Sequence, residues 1–175
     1  MITMLIVIAA LIAIILIAAM IIGTDIVIER TIIIDKPIDQ VFTFIKYIRN
    51  HDTFSVWAMM DPEMKKEYRG TDGEIGFVYA WDSSKEKNVG AGEQKIIQII
   101  EGKSIEHELR FIRPMENIAG SKFVFEAVSN NQTKVQWGFY SKMKFPMNIM
   151  KYMFQNMLAK DLEKGLNNLK TVMEK

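Results

Sequence analysis

His107 is the side chain of this sequence best equipped to move a proton. It interrupts an otherwise apolar alternation, Ile105, His107, Leu109, Phe111, and imidazole is the one side chain whose ordinary pKa lies near neutrality. Two roles stay open for it: a group that exchanges a proton in catalysis, or a hydrogen-bonded side chain of the core or of a pocket wall. Glu106 and Glu108 alternate with it and should point to solvent instead of forming an acid/base dyad. The chain has two histidines and no cysteine, which removes thiolate nucleophiles, disulfides and Cys-ligated metals. No metal site is assigned. Gly90 and Gly92 lack the third glycine of a dinucleotide fingerprint and read as a strand-entry turn. No nucleophile elbow, phosphate loop or two-histidine helix motif occurs, so no cofactor is expected.

A second kind of chemistry is shape. Trp57, Phe77, Tyr79, Trp81, Phe125, Trp137, Met153 and Met157, together with His107, could wall a cavity for a lipid or other small hydrophobic molecule. Aromatic rings and adaptable methionines suit an apolar ligand, and Tyr79, His107 and Gln94 would supply the few polar contacts. Ordinary core packing explains several of these residues equally well.

The elements that must position these groups follow from periodicity. Residues 26–34 are rich in β-branched side chains and stop at Pro37, which reads as a strand. Val41, Phe42, Phe44, Ile45 and Ile48 then lie at helical spacing up to Asn50, and residues 52–62 form a short helical or irregular turn. From Met64 the period becomes two. Turn signals at 70–73, 82–92, 101–103, 114–120 and 129–132 divide five or six antiparallel strands, each with one dry and one wet side. Phe77, Tyr79 and Trp81 share a dry side, as do Phe123 with Phe125, and Val135 with Trp137 and Phe139. Residues 147–173 form a long helix whose apolar stripe takes in Met150, Met153, Phe154, Met157, Leu158, Leu162, Gly165, Leu166, Leu169 and Met173. A sheet with one dry face and one long amphipathic helix makes a two-layer α+β domain.

Residues 1–24 contain no charge. A run of that length, at about 1.5 Å per residue, crosses a hydrocarbon core of about 30 Å. The segment reads as an uncleaved single-pass membrane anchor; a signal peptide would show a basic start and a small-x-small cleavage site, and neither is present. Arg30 and Lys36 follow the segment and no Lys or Arg precedes it, so the positive-inside rule favours a cytoplasmic domain. Residues 25–175 form the single soluble domain. Charged residues make up 25% of the chain, and its 22 basic and 21 acidic residues nearly cancel. A folded domain without the basic footprint of a nucleic-acid binder follows.

The order strand, helix pair, five or six antiparallel strands and long terminal helix resembles the helix-grip fold of the START-like or SRPBCC superfamily. Ile28-Glu29-Arg30-Thr31 and Ile34-Asp35-Lys36-Pro37 with Val41-Phe42 look like the family's opening strand, turn and first helix. Trp57, Asp61 to Met64, Tyr68-Arg69-Gly70, Gly76, Tyr79, Trp81, Gly90 and Gly92 follow the spacing of polyketide cyclase/dehydrase-like members. Pro114, Thr133-x-Val135-x-Trp137 and Gly165-Leu166 continue the likeness to residue 173. The resemblance implies a curved antiparallel sheet wrapped around the last helix. It implies a hydrophobic-ligand binder, with two alternatives: a cyclase- or dehydratase-type enzyme in which His107 or Tyr79 would act on a bound hydrophobic carbonyl compound, or an interaction module beside a membrane partner.

Overall fold

The computed structural model describes all 175 residues. Helix α1 (Ile2–Ile21) exposes almost every side chain; of its residues only Ala19 is buried. It is long and apolar enough to cross a membrane, and its exposure separates it from the core helix of a soluble domain.

Strand β1 (Asp25–Ile34) buries Ile26, Ile28 and Ile34 on one side. Helix α2 (Ile38–Lys46) follows Pro37 and buries Val41, Phe42 and Ile45. Apolar spacing predicts that this helix continues to Asn50, but it ends at Lys46 and a tighter 3-10 turn takes over at Ile48–Thr53. The cause lies elsewhere in the chain: the Asp72 carboxylate accepts the backbone N–H groups of Ile48 at 2.8 Å and Arg49 at 3.1 Å, starting a new capped turn. A short helix α3 (Val56–Met60) leads into the sheet.

Strands β2 (Lys65–Arg69), β3 (Val78–Asp82), β4 (Ala91–Ile100), β5 (Ser104–Arg113), β6 (Asn117–Ser129) and β7 (Gln132–Lys142) form a meander. Strand β1 crosses over to pair with β7, giving seven antiparallel strands in the order β1-β7-β6-β5-β4-β3-β2. The turn expected at 114–120 is shorter than its glycine suggests, because β6 begins at Asn117. Register shifts in β4 and the ordinary right-handed twist of paired strands curve this sheet.

After a 3-10 turn at Met147–Met150, helix α4 (Lys151–Met173) lies along β1. Lys170 Nζ donates to the Ile33 carbonyl at 2.7 Å, and the Asp35 backbone N–H donates to Glu174 Oε1 at 2.7 Å. The helix buries Ala159, Leu162, Gly165, Leu166 and Leu169 against the sheet. This is the α+β helix-grip fold, a START-like architecture.

Met153 and Met157 correct the expected stripe, since both are exposed. Met153 precedes the fully buried Leu162 by about two and a half turns at 3.6 residues per turn, which places it on the opposite side of α4.

Candidate functional site

Alternation on the strands brings the dry faces to the concave side. Tyr79 pairs with Gln94 and Gln94 with Leu109, while Ile96 pairs with His107 and His107 with Ser121. Residues in one register row share a face, so Tyr79, Gln94, His107 and Ser121 all look inward. His107 is only 1% exposed, and neither of its ring nitrogens finds a hydrogen-bond partner in the protein. The Tyr79 hydroxyl is likewise buried and unpartnered. Such groups are rare in native interiors and costly to leave unmet.

His51, from the 3-10 turn after α2, meets His107 edge to face, with ring centroids 5.7 Å apart. His51 Nε2 lies 2.8 Å from the Ile45 carbonyl. A carbonyl only accepts, so the His51 proton sits on Nε2. Burial lowers the pKa of His51, against the backbone bond to Ile45 and the charges of Asp72 and Asp52. Burial, and then His51 itself, hold His107 well below 6.5. Both rings are neutral at neutral pH, and His107 offers one N–H donor and one lone pair to whatever touches it. Tyr79 is raised above its ordinary value, first by burial and then by the charge of Asp52, so it stays a neutral hydroxyl.

The two ends of this interior differ. Trp137 donates its indole N–H to Ser121 Oγ at 3.0 Å and stacks on Phe123 with centroids 4.8 Å apart. Trp57 and Phe54 meet it edge to face, and Gly165 lets α4 approach, since a Cβ there would lie 2.7 Å from Trp137 Cζ3. This half is filled by side chains. Towards the ends of β3 and β5, Trp81, Leu109 and Phe111 are only half-buried. Trp81 donates its indole N–H to the Val89 carbonyl at 3.1 Å and lies over Gly92, where a Cβ would come 2.5 Å from the ring. Gly90 and Gly92 thus serve strand entry and a close ring approach.

The structure therefore gathers Trp57, Tyr79, Trp81, His107 and Trp137 around the concave face. Phe77 and Tyr79 share a packed cluster with Ile48, Met64 and Ile96, against which Trp81 rests; Phe77 is core there, whereas Tyr79 also brings an unpartnered hydroxyl to the interior. Phe125 packs edge to face on Phe42 of α2 at 5.2 Å and acts as core. Met153 and Met157 point away. His51, Ser121 and Phe54 also line this interior, and the sequence alone does not place them there; for His51 the available signal is that it is the only other histidine. Two hollows open at the surface. One of about 470 Å³ is lined by Asp39, Gln40, Thr43, Phe44, Tyr47 and Asn50, the other of about 260 Å³ by residues of β1 and α4. No group of three or more His, Asp or Glu side chains converges as a metal site would require.

No family model and no curated protein matches the sequence. Solved structures match its fold. Norcoclaurine synthase from Thalictrum flavum, in complex with dopamine and hydroxybenzaldehyde, superimposes with a TM-score of 0.61 at 10% identity, covering 87% of this chain and 88% of that one. A START superfamily protein from Mycobacterium smegmatis gives 0.59 at 15% identity, over 85% and 97% of the two chains. The Aha1 dimer from Colwellia psychrerythraea gives 0.59 at 15% identity, over 85% and 96%. At such identities the likeness establishes the fold and carries no chemistry with it.

Proposed function

We propose that the chain is a membrane-anchored binding domain, in which residues 1–24 span a bilayer and residues 25–175 hold a lipid or other small hydrophobic molecule. The observation that carries this reading is His107: a neutral imidazole, fully buried among aromatic rings, with both nitrogens unpartnered. A ligand with an apolar body and one hydroxyl or carbonyl would meet that need. Its place is the more open half of the concave face, between Tyr79, Trp81, Leu109 and Phe111, because the Trp137 half is packed. The norcoclaurine synthase of the same fold holds two small aromatic molecules.

The alternative of a cyclase- or dehydratase-type enzyme would use His107 as general base. It draws less support, because a base works best with a pKa near the operating pH and burial holds this one well below 6.5. Native mass spectrometry of the full chain in a mild detergent tests the proposal. A retained small apolar molecule, lost in His107→Leu, is the expected result. A chain that carries no ligand and fails to bind an environment-sensitive apolar probe would leave only a protein-interaction role beside the membrane.

A further inference from the structure

The end of the domain from which α1 leaves carries apolar side chains that the fold does not cover. Phe145, Met147, Tyr152, Met153 and Met157, on and before the first turns of α4, are all exposed. Met115, in the β5–β6 turn, is exposed at the same end of the sheet, because β1 starts there opposite the end of β7, and β6 starts there opposite the end of β5. Residues 141–160 contain Lys142, Lys144, Lys151 and Lys160 and no acidic residue.

This surface is fixed to the exit of α1. The Thr24 carbonyl accepts the Met143 N–H at 2.9 Å, and the Lys151 ammonium lies 3.7 Å from where a side chain on Gly23 would begin. Three residues separate the end of α1 at Ile21 from the start of β1 at Asp25. Even fully extended, the four Cα steps from Ile21 to Asp25 span only about 14 Å, and Asn148, next to Met147, bonds the Ala19 and Ile22 carbonyls at 2.6 Å. If α1 spans a bilayer, this end of the domain faces the bilayer surface at close range.

We infer that this end of the domain docks on the surface of the bilayer that α1 crosses. The inference rests on the anchor reading above. Phe145, Met147, Met153 and Met115 enter the boundary between headgroups and acyl chains, Tyr152 sits at headgroup level, and the lysines meet anionic headgroups. Lys142 pairs with Asp25 at 3.6 Å and Glu116 follows Met115, but Lys144, Lys151 and Lys160 stand beside the apolar side chains without an acidic partner; apolar side chains with free lysines around them are the composition that binds such an interface. An uncovered apolar surface of this kind needs a partner, and the short connection to α1 makes lipid the partner at hand. The half-buried Trp81, Leu109 and Phe111 lie at this end, so docking turns the open half of the interior toward the membrane.

The absence of cysteine allows a clean test on the full chain. Single variants Ile12→Cys, Met115→Cys, Met153→Cys and Asn131→Cys carry an environment-sensitive fluorophore in vesicles of phosphatidylcholine and phosphatidylglycerol. Nitroxide lipids labelled deep or shallow, and a water-soluble quencher, report depth. The expected result is that Ile12 responds to the deep label, Met115 and Met153 to the shallow label, and Asn131, on the far turn between β6 and β7, only to the aqueous quencher. If Ile12 responds as expected while Met115 and Met153 behave like Asn131, docking is wrong and the anchor stands. Shielding of Met153 from water without lipid quenching would show a protein occupant, such as a second copy, and also overturns the inference. Failure of Ile12 to respond to the deep label overturns the anchor itself, and docking with it.

Discussion

Asn148 closes the end of α1: its side-chain amide Nδ2 donates to the Ala19 carbonyl at 2.6 Å, and to the Ile22 carbonyl at the same distance. The last carbonyls of a helix have no partner within it, and here one buried side chain at the entry to α4 supplies two bonds. The apolar helix and the domain are thereby joined by geometry as well as by chain.

Asn148→Ala leaves both carbonyls without that donor. The expected loss is about 1–3 kcal/mol, read as a lower melting temperature of the full chain in detergent micelles. Asn148→Leu also removes the buried, unpartnered Oδ1 of Asn148 and should lose less. An unchanged melting temperature in both variants would show that the two bonds contribute nothing.

Gly165 and Trp137 make a second test. Alanine is the better helix former by about 1 kcal/mol, yet a Cβ at position 165 would stand 2.7 Å from the Trp137 ring. Overpacking of this kind costs roughly 1–3 kcal/mol, so Gly165→Ala should destabilise the domain in a denaturant titration. Combined with Trp137→Phe it should recover part of the loss, giving a non-additive double-mutant cycle. Additive effects would mean that the two residues do not press on each other.

The buried histidine pair predicts an acid-sensitive fold. Unfolded histidine takes a proton near 6.5, while burial lowers both folded values, that of His107 furthest. Between the folded value and 6.5 the unfolded state binds more protons, so the stability due to neutral imidazoles is complete above 6.5 and declines as pH falls below it. The slope is about 1.4 kcal/mol per pH unit for each histidine. His107→Leu removes one proton site and two unpartnered nitrogens. It should therefore raise the melting temperature, and raise it more at about pH 5.5 than at about pH 7.5. An equal shift at both values would argue against a depressed pKa at His107.

Ile8→Lys with Ile12→Lys places two charges in the middle of α1, each costing about 2.5–3.5 kcal/mol at the centre of a spanning helix. The double variant should leave the carbonate-washed membrane pellet, where the unaltered chain is expected to remain. Retention of the double variant would remove the membrane-spanning reading of residues 1–24.

Much of this molecule is legible without coordinates, because strand alternation and helical periodicity are local geometry. Side chains on a strand point to opposite faces whatever the strand pairs with, so Tyr79, Trp81, His107 and Trp137 could be assigned to one interior. The same holds for Leu162, Leu166 and Leu169, and the uncharged run before Asp25 declares itself by composition. What depends on packing between distant segments could not be read. Asp72 decides where α2 stops, His51 meets His107 across the fold, and Asn148 reaches Ala19 over 129 positions of chain. Met153 and Met157 show the limit within one helix. Their apolar character is plain in the sequence, but only the seating of Leu162, Gly165 and Leu166 on the sheet determines which side of α4 is dry, and so turns these methionines outward at the end where α1 departs.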